Sequence, residues 1–201
     1  MDFESNAKDG YGVDWPVRYK EIAPWYDYVE KFIGVSGERR GFTQLPDGQF
    51  LPAMEMSCVE THFQSEVEAK IKNRFVTIGR TSHLTAPLEH ANDGGRTQCL
   101  YRNRCRRGCP YGGYFSSLAG TLPAAEVTGN LTVATDAIVH RVIYDQDGKR
   151  ARGVSVIDRN TGEQLDFFAK VFFLCASTVG SAAMLMQSRS DRFPDGMGND
   201  S

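Results

Sequence analysis

No stretch of roughly 18 apolar residues occurs in the 201-residue chain, so no segment reads as a membrane-spanning helix. Met1, Asp2, Phe3 and Glu4 lack the basic and apolar regions of a secretion signal. An excess of charge is missing as well: 23 Lys and Arg stand against 25 Asp and Glu, for a net charge of -2, which excludes a global attraction to nucleic acid or anionic membrane. No Gly-x-Gly-x-x-Gly occurs, so a self-sufficient dinucleotide-binding fold is not supported by this chain alone. His62, His83, His90 and His140 show neither paired ligand spacing nor a partner motif for nucleophilic catalysis and read as surface or loop histidines. Carboxylates are scattered, so no acid/base pair stands out. What remains, 41% hydrophobic and 24% charged, is the balance of a globular protein.

The hydrophobic pattern predicts an α+β fold. After an irregular lead-in, Ile22, Trp25, Tyr26, Val29, Phe32 and Ile33 recur at helical spacing and predict a helix over 19–33, closed by Gly34. Trp15, Tyr19, Trp25, Tyr26 and Tyr28 read as core, with a substrate entrance as the rival reading. A second helix is expected over 55–72, a short strand over 75–78 and a short helix over 116–126. Alternating apolar residues then predict an antiparallel meander, with strands over 131–135 with 138–144, 153–158 and 164–174 separated by Asp147-Gly148 and by Asn160, Thr161 and Gly162. The meander ends in the apolar run 171–176, long enough for a strand buried on both faces, and a helix over 179–187 follows. Residues 188–201 carry no packing signal and read as an unpacked tail.

Five cysteines is an odd number, which argues against a disulfide framework. Cys99, Cys105 and Cys109 fall within eleven residues of a glycine-rich loop spanning about 94–113, and Cys109 precedes Pro110. Three soft thiolates spaced Cys-x5-Cys-x3-Cys-Pro suit an iron–sulfur cluster; a zinc site with a distant fourth ligand, a redox pair and structural cysteines stay open beside it. Arg96, Arg102, Arg104, Arg106 and Arg107 crowd the loop, with no acidic residue between Asp93 and Glu126, an arrangement that offsets thiolate charge and lowers thiol pKa.

Several segments together resemble the glucose-methanol-choline (GMC) flavoprotein oxidoreductases: Asp14-Trp15-Pro16-Val17-Arg18-Tyr19 with Pro24-Trp25-Tyr26, Gly34-Val35-Ser36-Gly37, Asn130-Leu131-Thr132-Val133 with Ala137-Ile138-Val139, Arg152-Gly153-Val154, and Phe173-Leu174-Cys175-Ala176-Ser177-Thr178-Val179-Gly180-Ser181. The resemblance implies an internal fragment of an FAD enzyme that oxidises an alcohol or sugar hydroxyl, without the glycine-rich FAD loop and without the catalytic histidine and its His/Asn partner, so no catalytic residue is expected in this chain. It further implies a cap and substrate-domain portion over 1–125, the meander and strand–helix of the FAD domain over 126–187, and cofactor contacts at Val139, Ala176 and Ser177.

Within that family, the cysteine spacing is similar to that of the catalytic subunits of bacterial sugar and gluconate dehydrogenases. The similarity implies a three-iron four-sulfur cluster on Cys99, Cys105 and Cys109, a small subunit, a cytochrome c acceptor and a periplasmic location. A non-enzymatic iron–sulfur or zinc module, and a β-meander interaction domain with incidental cysteines, remain the rival readings.

Overall fold

The computed structural model describes residues 2–88 and 95–198; His90 and Gly94 lie outside them. A short helix, α1 (Ser5–Asp9), closes on Gly10 in the left-handed conformation inside the stretch read as irregular. The helix α2 (Tyr19–Ile33) occupies the residues its periodicity predicts. The Arg18 backbone N–H donates to the Glu21 carboxylate at 2.7 Å, and Gly34, at φ 74°, turns the chain out of the last turn. A Cβ on Gly34 would lie 2.3 Å from the Leu84 side chain, so close packing as well as conformation demands glycine here. Trp15 (63% exposed), Trp25 (67%) and Tyr28 (66%) face outward, which corrects the reading of this aromatic group as core.

The next helix, α3 (Cys58–Lys70), starts where Ser57 and Glu60 cap one another: the Ser57 N–H donates to the Glu60 carboxylate at 2.7 Å and the Glu60 N–H to Ser57 Oγ at 3.3 Å. That capping box places the start three residues later than the periodicity does. Residues 75–78 form no strand. Side chains of α3 take the place of a neighbouring strand there: Gln64 donates to the Val76 carbonyl at 2.7 Å, and Glu68 accepts the Val76 N–H at 3.3 Å.

Single bridges rather than sheets knit these segments together. Ser36 exchanges backbone hydrogen bonds with Thr81, and Val35 accepts from Leu51. Val35, Ser36 and Leu84 are buried at this crossing. The helix α4 (Thr121–Val127) follows, five residues later than its expected start.

The meander is present as three antiparallel strands in the order β1 (Ala137–Asp145), β2 (Arg150–Asp158) and β3 (Gln164–Phe168). Its register sets Val139 against Val156, and Val156 against Leu165, with irregularities in β1 between Val139 and Arg141 and between Ile143 and Tyr144. Residues 131–135 lie outside the sheet, and β3 ends at Phe168. The run 171–176 is neither strand nor core: Val171 is 67% exposed and Phe173 is 87% exposed. A strand buried on both faces needs neighbours on both sides, and no described segment pairs with this one. The last helix, α5 (Ser177–Gln187), follows directly.

Residues 188–198, read as an unpacked tail, make specific contacts. Ser188 is buried, and its hydroxyl donates to the Met184 carbonyl at 2.6 Å and accepts the Val142 N–H at 2.7 Å. Phe193 packs edge-on against Tyr144 with ring centroids 5.1 Å apart. Periodicity cannot show this packing, because it rests on one hydroxyl and one ring. By its internal contacts the chain divides into two units, Met1–Leu131 and Thr132–Ser201.

Candidate functional site

Leu84 is the buried pin of the cysteine loop, 1% exposed. Its N–H donates to the Gly113 carbonyl and its carbonyl accepts the Cys99 N–H, while Thr97 N–H reaches Tyr111 and Phe115 N–H reaches Ser82. The segments around 82–84, 97–99 and 111–115 are thereby laced side by side. Gly112 and Gly113 make this approach possible. A Cβ on Gly113 would stand 3.0 Å from the Cys99 Cα, and one on Gly112, at φ 62°, would stand 3.1 Å from the Arg96 Cα. Cys105 opens a short 3-10 turn, Cys105–Arg107, ended by Gly108 at φ 86°.

This lacing brings Cys99, Cys105 and Cys109 to the wall of one cavity of about 220 Å³, shared with His83, residues 100–104, Pro110 and Tyr111. All five cysteines of the chain are free thiols, and Cys58 and Cys175 are exposed. Each of the three clustered sulfurs has a nitrogen within hydrogen-bond reach. Tyr101 N–H donates to Cys99 Sγ at 3.4 Å, and His83 Nε2 lies 3.1 Å from Cys105 Sγ. Burial pushes the Cys109 thiol up, but the backbone N–H groups of Tyr114, Tyr111, Gly113 and Gly112 converge on its sulfur, outweigh that effect and hold its pKa below the usual thiol value.

The arginines divide. Arg102 donates to the Tyr111 hydroxyl at 2.9 Å, and Arg104, Arg106 and Arg107 are exposed. Arg96 instead is buried at 4% exposure, donating to the Gly112 and Ile33 carbonyls at 2.9 Å each, over the Phe115 ring, with Nη2 unpartnered. Burial pulls its pKa down while the nearby Cys109 thiolate opposes that shift. One buried cation therefore lies within the electrostatic reach of Cys109, where the sequence pattern pointed only to a general basic loop.

Sequence reading missed His83, which lies 22 residues before Cys105 with no local spacing to mark the pair. Its Nδ1 is 2.6 Å from Thr81 Oγ1, its ring packs 4.6 Å from Tyr114, and burial lowers its pKa, favouring the neutral ring. Among the described residues, no three His, Cys, Asp or Glu side chains are grouped so as to hold a metal ion. A tetrahedral zinc site brings sulfurs to about 3.8 Å of one another, given Zn–S bonds of about 2.3 Å, so nothing here favours the zinc reading. An iron–sulfur cluster spreads its ligands around a body several Å across, and three free thiols on one cavity wall are the kind of donor set such a group takes.

Val139 stands in mid β1, half-buried opposite Val156. Ala176 and Ser177 are exposed at the start of α5, where Ser177 takes φ 63°, unusual for a residue with a side chain.

A family model described as GMC oxidoreductase matches residues 9–192. The chain belongs to the GMC oxidoreductases. This is a family of FAD-dependent oxidoreductases. The chain is 28% identical over 198 residues to 6'''-hydroxyparomomycin C oxidase of Streptomyces lividus, covering 96% of this chain and 34% of that protein. To paromamine 6'-oxidase of Streptomyces fradiae it is 30% identical over 209 residues, covering 100% and 36%. To the fructose dehydrogenase large subunit of Gluconobacter japonicus it is 22% identical over 204 residues, covering 100% and 36%. The chain thus spans about a third of the length of these curated relatives. No helix among the described residues is long and apolar enough to cross a membrane.

Proposed function

We propose that this GMC chain is part of an FAD-dependent enzyme that oxidises an alcohol or sugar hydroxyl, and that Cys99, Cys105 and Cys109 hold a three-iron four-sulfur cluster in it. The observation that carries the cluster is the convergence of three free thiols on one cavity, each with a nitrogen within hydrogen-bond reach of its sulfur. FAD would accept the hydride leaving the carbinol carbon, and the cluster would supply a one-electron station toward an external acceptor such as a cytochrome c. The chain's own residues do the holding. Gly112 and Gly113 let the backbone of 111–114 wrap Cys109, Leu84 fixes Cys99 through its carbonyl, and Arg96 offsets charge at Cys109.

In this reading residues 1–125 contribute cap and substrate-domain structure and 126–187 contribute to the FAD domain. The start of α5 has no acidic residue in its first turn and is open at Ala176 and Ser177, which leaves it free to face an electron-rich part of the cofactor. Val139 would meet the cofactor through its backbone.

Anaerobic reconstitution of the chain with ferrous iron and sulfide, followed by iron and sulfide analysis, tests the cluster. Wild type should take up both, and Cys105→Ser should lose most of its iron. Equal iron in the two proteins would refute the ligand assignment.

A further inference from the structure

Of the nitrogens that reach the three sulfurs, those on Cys99 and Cys109 are backbone N–H groups and would survive almost any substitution. The one on Cys105 is different, because it comes from a side chain that is itself held in place. We propose that His83 is a positioning residue of the cysteine site, oriented by Thr81 so that its Nε2–H donates to Cys105 Sγ. The inference rests on the cluster reading above.

A ligand thiolate has no proton to give, so the ring nitrogen 3.1 Å from Cys105 Sγ must be the donor. In the neutral ring the other nitrogen is then an acceptor, and the Thr81 hydroxyl, 2.6 Å away, supplies the proton it needs. The ring cannot easily turn away. It packs against Tyr114 at 4.6 Å with the rings tilted 31°, His83 is bridged to Tyr114 through the backbone, and the next residue, Leu84, is the buried pin of the loop. A donor on a ligand sulfur withdraws negative charge from it and favours the reduced cluster, so His83 raises the potential of the site.

The test compares wild type, His83→Phe and His83→Gln after anaerobic reconstitution with ferrous iron and sulfide, reading iron content and a dithionite-poised titration of the cluster spectrum. Phenylalanine keeps the ring packed and removes the donor, while glutamine places an amide N–H near the former Nε2. With iron retained in all three, His83→Phe should lower the one-electron reduction equilibrium about tenfold, equivalent to about 59 mV, and His83→Gln should recover most of it. Iron retained with unchanged potential in His83→Phe would overturn the inference and leave the cluster standing. Failure of wild type to bind iron would overturn the cluster reading, and the inference with it.

Nitrogen-15 spectra of the histidine rings in the iron-loaded chain, where Cys105 carries no proton, give a second readout besides the potential. Wild-type His83 should show the Nε2–H tautomer, and Thr81→Val should lose that single preference. An Nδ1–H tautomer in wild type would sink the proposed orientation.

Discussion

The two units hold themselves together in different ways. In Met1–Leu131 the buried residues Val35, Ser36, Leu84 and Arg96 lie on irregular segments joined by single bridges, and every described helix there lacks a fully buried residue. In Thr132–Ser201 an antiparallel meander buries Val156 and Ser155 on its middle strand and seats the end of α5 through Ser188. Regular backbone pairing repeats one interaction along the sheet of the second unit. The first unit instead concentrates its order at a few crossings, which are also the places that shape the cysteine site.

The sharpest way to break this contrast is Leu84→Ala, which should cost about 2–5 kcal/mol as a large-to-small change at a buried site. Amide protection at Ser36, Thr81 and Leu84 should fall while protection along β2 stays as it was. Equal loss in both units would show that they do not stand separately. Next in size, Gly112→Ala forces a side chain into φ 62° against Arg96, at a cost of about 1–3 kcal/mol. Mass-spectrometric alkylation kinetics should then show faster labelling of Cys109, and unchanged rates would argue against the wrapped loop.

In the second unit, Val156→Ala removes two methyl groups from a side chain 3% exposed and should cost about 1.5–2 kcal/mol. Denaturant melting read from β-sheet amides should show that loss with little change in the cysteine loop. The smallest effect belongs to Asp158, whose carboxylate accepts the Thr161 and Asn160 N–H groups at 2.9 and 2.7 Å and is held below its ordinary pKa of 3.8. A lowered folded-state pKa stabilises the turn fully above pH 3.8, and the stabilisation is lost as pH falls through the lower folded value. Amide shifts of Asn160 and Thr161 should move in that acid window in wild type and stay flat in Asp158→Asn.

Legibility in the sequence follows the same division. Helix α2 is read at its observed bounds from the 3.6-residue spacing of its apolar residues, and the order and turns of β1 to β3 from apolar stretches set between turn residues, although 131–135 and 169–174 fall outside the sheet. The run 171–176 misleads because its composition promises two covering layers, and no described segment supplies them. Val76 is misplaced for the opposite reason: its backbone groups are satisfied by Gln64 and Glu68, which a strand pattern cannot reveal. At the site, the cysteines are visible through local spacing. His83 and the burial of Arg96 are not, since both depend on contacts between distant segments.

Ser188 makes one amide into a gauge. Its hydroxyl has spent its proton on Met184 at the end of α5 and offers its lone pair to the Val142 N–H at the irregular stretch of β1. The Val142 proton can therefore exchange with water only when the helix end withdraws from the sheet. Its exchange rate, followed at a single resonance, counts how often that helix lifts and settles again. Any treatment of the protein that leaves this rate untouched has left the last helix in place.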